Sequence, residues 1–286
     1  TTGGDLGADG VNIETKRAYL DFLVPSTAIT LRGGLQGLSL PAAVAGSPIL
    51  SDDVAAIVAT STVAGANVTG FFARPSDTGD SKTTADLFGA VVSADLGAAT
   101  VSPYFMFANV GDNATIAGSS AAVGNIDDNV TWVGVAVDVA PINNLTFDFD
   151  AAYGKINGQD AGFMVAGKAA YAANFATPAL VAWYGSGDDS DGEGIMPTVD
   201  GLDMIPTTLV GEGAMGPMAD ALFGSALGKW GVSLQAEEIT FLEKLSHTVR
   251  VTYIQGTNDD SNNDLDIAKW GEDDRAVEFD VVNVYS

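Results

Sequence analysis

The chain has no cysteine, one histidine and only 12 lysines and arginines, set against 37 aspartates and glutamates in 286 residues. The missing cysteine excludes disulfides and thiolate metal sites. The lone His247 makes no metal cluster, and no serine elbow stands near it to complete a hydrolase triad. The shortage of base leaves a net charge of -25, which excludes the basic footprint of a nucleic-acid binder. No apolar run reaches the roughly 18 residues of a membrane-spanning helix. No signal peptide is legible at Thr1. Sustained helical periodicity is scarce as well.

What is present pulls in two directions. Acidity of this degree often means disorder, but disorder also needs low hydrophobicity, and 47% of these residues are hydrophobic. Two separated surfaces, one charged and one apolar, reconcile the two. The stretch NLTFDFDAAYGK (residues 144–155) draws them on one strand. Leu145, Phe147, Phe149, Ala151 and Tyr153 share one face; Thr146, Asp148, Asp150, Ala152 and Gly154 share the other.

This alternation recurs and predicts thirteen strands, at about 11–24, 27–40, 54–64, 66–75, 86–95, 99–110, 129–140, 144–156, 162–173, 177–186, 229–241, 246–256 and 275–286. Most reach the roughly ten residues that a tilted strand needs to cross a bilayer. The connections alternate short and long. Short ones fall at Pro25-Ser26, Gly65, Gly97-Ala98, Pro141-Ile142-Asn143, Phe175-Ala176 and Glu243-Lys244-Leu245. Longer ones fall at 41–53, 76–85, 111–128, 157–161, 187–228 and 257–274. Short turns on one side and long loops on the other are the signature of an up-and-down barrel in an outer membrane.

Charged residues sit at mid-strand on the polar face, as expected where that face meets a water-filled lumen. A large closed barrel also removes the exposed edges that so many strands would otherwise present. The expected fold is therefore all-β: a transmembrane antiparallel up-and-down β-barrel, a single domain over 1–286. A soluble sandwich, with its apolar face inward, is the alternative. Lumen candidates are Arg17, Tyr19, Asp21, Arg32, Gln36, Asp138, Asp148, Asp150, Glu237, Arg250, Glu278 and Asp280. Acids outnumber bases among them, which predicts a modest preference for cations. Tyr153 is expected in an interfacial aromatic girdle.

The strand-turn-strand TKRAYLDFLVPSTAITLRGGLQGLSLP and the following VAGSPILSDDVAA, within residues 3–59, resemble the outer-membrane homotrimeric porins of sulfate-reducing bacteria of the Desulfovibrio type. The resemblance implies a homotrimer in a Gram-negative outer membrane, in contact with lipid and lipopolysaccharide, with about sixteen strands or slightly more. An even strand number and a terminal aromatic residue are expected of such a porin, so strands are expected to be lacking at the N-terminus and C-terminus of this sequence. The resemblance also implies a loop folded into the lumen as a constriction, with acids facing bases on the wall. Loop 41–53 is the first choice, with Asp52 and Asp53 as its acids and Arg17 and Arg32 as wall bases; a plain Arg17–Asp21 pair is the alternative. Loop 187–228 is the competitor, able to narrow the lumen, meet a neighbouring subunit or merely cap the outside.

Other motifs carry less. Residues 211–216 spell GxGxxG without the flanking βαβ unit that a dinucleotide site requires. The matches to Asn-X-Thr at Asn67, Asn113, Asn129 and Asn144 mostly begin strands and read as chance. No cofactor is expected. The acidic clusters containing Asp188, Asp189 and Asp191, and Asp259, Asp260 and Asp264, offer oxygen ligands for calcium or another divalent cation at the outer loops, yet neither keeps the EF-hand spacing. The function expected is passive diffusion of ions and small hydrophilic solutes, with no bond chemistry. An acidic, calcium-ordered surface-layer or adhesin β-protein is the rival, and it lacks the fixed-period repeats such proteins show.

Overall fold

The computed structural model describes residues 15–77, 84–111, 116–117, 125–126, 128–199, 227–242, 244–260 and 270–285. Thirteen strands form one antiparallel sheet in which each pairs with its neighbours along the chain. They are β1 (Ala18–Leu23), β2 (Thr30–Ser39), β3 (Ser51–Val63), β4 (Ala66–Asp77), β5 (Thr84–Asp95), β6 (Ala99–Val110), β9 (Val130–Ile142), β10 (Leu145–Ile156), β11 (Gly162–Tyr171), β12 (Thr177–Gly185), β13 (Lys229–Leu242), β14 (Leu245–Gly256) and β15 (Arg275–Tyr285). Two further pieces, β7 (Ile116–Ala117) and β8 (Asn125–Ile126), make a small hairpin inside the β6–β9 connection. No helix among the described residues is long and apolar enough to cross a membrane, and the strands are the elements built to do so.

The thirteen long strands coincide with the thirteen expected ones. The differences are local. β3 begins at Ser51 rather than 54, so it takes in Asp52 and Asp53. The β7–β8 hairpin was not foreseen. Among the described residues, β1 and β15 are the two edges of the sheet.

Short connections lie at one end of the sheet. Ala64 and Gly65 both take left-handed backbone (φ 50° and 88°), as a two-residue hairpin turn between right-twisted strands requires. The other end carries the long loops. The sheet is rolled, because the segment after β2 reaches β10 and also meets the segment after β12.

The face assignment follows from exposure. Along β10, Phe147, Phe149 and Tyr153 are 42–45% exposed, whereas Asp150 on the opposite face is 7% exposed. The same inversion runs along β12, where Leu180 and Tyr184 face out and Val181 and Trp183 face in. Aromatic rings line up across the outer face near the long-loop end. Phe72 and Phe88 meet at 5.3 Å, Phe163 and Tyr184 stack at 5.5 Å, and Trp230 and Tyr253 meet at 5.4 Å. Phe105 and Tyr153 continue the row, each directly opposite Val133. A row of rings on the outward parity is what the border of a bilayer selects.

Candidate functional site

Two loop segments fold into the barrel and divide its interior into a packed apolar part and a charged part that holds a cavity. The first is the β2–β3 connection, residues 40–50, with the sequence LPAAVAGSPIL. It carries no charge, so nothing holds it in bulk water and burial favours it. Leu40, Ile49 and Leu50 are almost fully buried. The second lies after β12: Ile195, Met196, Thr198 and Val199 are buried as well. The two segments are joined, the Val199 amide donating to the Ile49 carbonyl at 2.9 Å. The second is also fixed to the wall, where the Trp132 indole Nε1 donates to the Pro197 carbonyl at 2.7 Å. Gly162 allows the close approach, since a side chain there would collide with the backbone of Ile195 and Met196.

The wall these segments cover is apolar: Ala73, Leu87, Met106, Ala108, Val130, Trp132 and Met164 are all buried. The inner face is thus not a polar lumen along its whole length. Toward the long-loop end it is a packed hydrophobic core, and polar inner residues concentrate toward the short-turn end and around β10–β15.

That charged sector surrounds a cavity of about 430 Å³, lined by Val44 and Ala45 of the inward loop and by Lys168, Val181, Gln235, Glu237, Glu238, Thr248, Arg250 and Val282 of the wall. Asp138, Asp148 and Lys168 form one lateral row, because Asp148 lies opposite Asp138 on one side and Lys168 on the other. Lys168 Nζ donates to both oxygens of Glu237 at 2.9 Å, reaching across β12. Arg250 Nε donates to Asp280 at 2.9 Å. One step from the Gln235–Arg250 level toward the long loops, the hydroxyls of Ser233 and Thr252 bond each other at 2.7 Å. Two bases are each tied to a carboxylate, and Asp138 and Asp148 add two further negative charges beside them.

Asp150 serves differently. Its carboxylate accepts the Ala43 amide at 2.8 and 3.1 Å and the Val44 amide at 2.8 Å. The loop is therefore held by a wall acid binding loop backbone, in the reverse sense to loop acids facing wall bases.

The other expected residues separate into three groups. Tyr19, Asp21 and Arg32 share one face, where Arg32 grips Asp21 with two bonds of 2.7 and 2.8 Å and lies 4.1 Å over the Tyr19 ring. The Arg17–Asp21 pairing does not form; Arg17 Nε instead bonds Asp53 at 3.0 Å. Gln36 and Glu278 are on the inner face but buried, Gln36 donating to the Ala56 carbonyl at 3.0 Å. Asp52 and Asp53, expected on the constriction loop, are instead in β3. The physical reason is that strand alternation continues through them, Leu38 pairing Asp52 and Gly37 pairing Asp53.

Among the metal candidates, the Asp259 amide donates to the Asp188 carbonyl at 3.0 Å, which brings the two acidic loops together. Asp189 accepts the Asp191 amide at 3.0 Å, closing a turn. Asp260 is exposed, and Asp264 lies outside the described residues. Among the described residues no three histidine, aspartate or glutamate side chains gather as a metal site.

Sequence reasoning missed Lys168 and Lys229, whereas the segment 195–199 belongs to loop 187–228, the expected competitor for narrowing the lumen. Lys168 hides among small apolar residues of its own strand, and only the hairpin register to Asp148 exposes its place. Lys229 is buried 5.8 Å from the Trp270 ring. The inward segments had a signal: both are uncharged in a chain whose other long connections are acidic.

No family model matches this chain, and no curated protein matches it. By structure it is similar to Pseudomonas aeruginosa OccK5 (OpdH), with a TM-score of 0.53 and 13% sequence identity over 89% of this chain. The alignment spans 66% of the length of OccK5. Outer-membrane expressed OmpT of Vibrio cholerae aligns at a TM-score of 0.49 and 11% identity, over 94% of this chain and 80% of that one. P. aeruginosa OccK11 (OpdR) aligns at 0.47 and 14%, over 80% and 61%. At such identities the likeness concerns fold alone. The chain has the porin-like fold of an outer-membrane β-barrel. An up-and-down sheet with an apolar outer face and an aromatic border belongs in the bacterial outer membrane.

Proposed function

We propose that this protein is a porin: a passive, water-filled channel for ions and small hydrophilic solutes, with no bond chemistry. The observation that carries the reading is the charged sector around the cavity between Val44–Ala45 and β11–β15, enclosed by a sheet whose other face is apolar. A lumen of this kind filters by size and charge. The excess of carboxylates there, with Lys168 and Arg250 each already holding an acid, favours cations. The homotrimer and the kinship with Desulfovibrio-type porins rest on the resemblance of residues 3–59, and lipopolysaccharide and outer-leaflet lipid are the natural surroundings of the aromatic border.

Liposome swelling tests the reading. Vesicles containing the protein should swell in sugars at rates that fall with sugar size, and protein-free vesicles should not. Equal rates with and without protein would refute it.

A further inference from the structure

The inner face of β10 carries two carboxylates, two residues apart, in different surroundings. Asp148 looks across to Asp138 and Lys168 within the charged row. Asp150 is buried, and its two oxygens accept three contacts from the consecutive amides of Ala43 and Val44, more than 100 residues away in the chain. Val44 and the adjoining Ala45 line the cavity that separates the inward loop from the β11–β15 wall.

The base of the loop is closed by strand-like pairing, the Leu40 amide donating to the Leu50 carbonyl, and its far side is held through Ile49 and Val199. Its tip is uncharged and built of small residues, Ala42-Ala43-Val44-Ala45-Gly46, of which Val44 packs into the apolar core. Among the described residues, Asp150 is the polar group that fixes this tip. Hydrogen bonds to an ionised carboxylate are short, strong and directional. With two amides on its oxygens, Asp150 also presents less free charge to a passing ion than Asp148 does.

We infer that Asp150 is a positioning residue: it latches the tip of the inward loop and so sets the aperture of the channel, while Asp148, two residues below, acts on ion selectivity. This rests on the porin reading and assigns the two acids of one strand face separate tasks.

Planar-bilayer recordings of full-length channels, wild type and Asp150→Ala, Asp150→Asn, Asp150→Glu and Asp148→Asn, test it. Releasing the tip should raise unitary conductance by roughly 1.5-fold or more in Asp150→Ala and add open-channel current noise. Asp150→Asn, nearly the same shape but with one acceptor oxygen and no charge, should lie between wild type and Asp150→Ala, and it serves if Asp150→Ala does not fold. Asp150→Glu keeps a carboxylate on a longer arm and should restore quiet current. Asp148→Asn should move the salt-gradient reversal potential toward anions without added noise. Asp150 variants that change only the reversal potential, or that match wild type in conductance and noise, would overturn the latch. A silent wild type would instead overturn the porin reading itself.

Discussion

At the scale of single residues, selectivity depends on which carboxylates and bases of β10–β15 are already neutralised. Lys168 holds Glu237 and Arg250 holds Asp280, so removing a base should unmask an acid. We predict that Lys168→Met increases cation preference, and that Asp138→Asn combined with Asp148→Asn decreases it. Reversal potential in a salt gradient reads both, and shifts of the same sign would contradict the assignment. Arg250 and Asp280 are largely shielded, so Asp280→Ala should also destabilise the fold by removing a buried carboxylate that the guanidinium bonds; a lowered urea midpoint in detergent checks this.

At the scale of elements, the two faces of a strand make opposite demands. Phe149 sits near mid-strand on the outward parity of β10. Replacing it with arginine should cost about 2–4 kcal/mol in a bilayer, the penalty for a cation near the midplane. The same change at Thr248, which lines the cavity from the inner face of β14, should cost far less. Urea titration of folding into vesicles measures both, and equal costs would reverse the face assignment. The inward segment 195–199 gives a second test. Trp132 is fully buried and bonded to Pro197, so Trp132→Ala should cost about 3–5 kcal/mol. Gly162→Ala should also destabilise, because its methyl would push against the Ile195–Met196 backbone.

The strands were legible because alternation is a local property: each β-strand announces its two faces in its own residues. The parity of short and long connections gave the topology for the same reason. What the alternation could not give is where the inner face is wet. Trp132 and Asp138 share one face of β9, yet the first is packed in a dry core and the second lies in the charged row. That distinction depends on loops arriving from distant sequence, and local periodicity is blind to it. Asp52 and Asp53 were assigned to a loop for a related reason: a carboxylate pair reads as a loop until the partner strand supplies its register. Asp150 was read only as a lumen charge because the amides it holds belong to Ala43 and Val44, residues with no polar side chain to advertise the contact.

At the scale of the whole molecule, strong acidity and substantial hydrophobicity are reconciled by separation. The apolar surface of the rolled sheet faces outward with its row of rings, the acid is concentrated in the lumen and in long connections at one end, and uncharged loop segments fill part of the interior. A soluble β-protein would place its apolar face inward throughout and would expose no continuous aromatic border. The measurement that tests this arrangement most directly is single-channel recording of the detergent-purified protein in a planar bilayer under a salt gradient. The account predicts stable ohmic steps, appearing in groups of three if the porin is trimeric, with a reversal potential on the cation side. A silent bilayer, with protein that stays in solution without detergent, would contradict it.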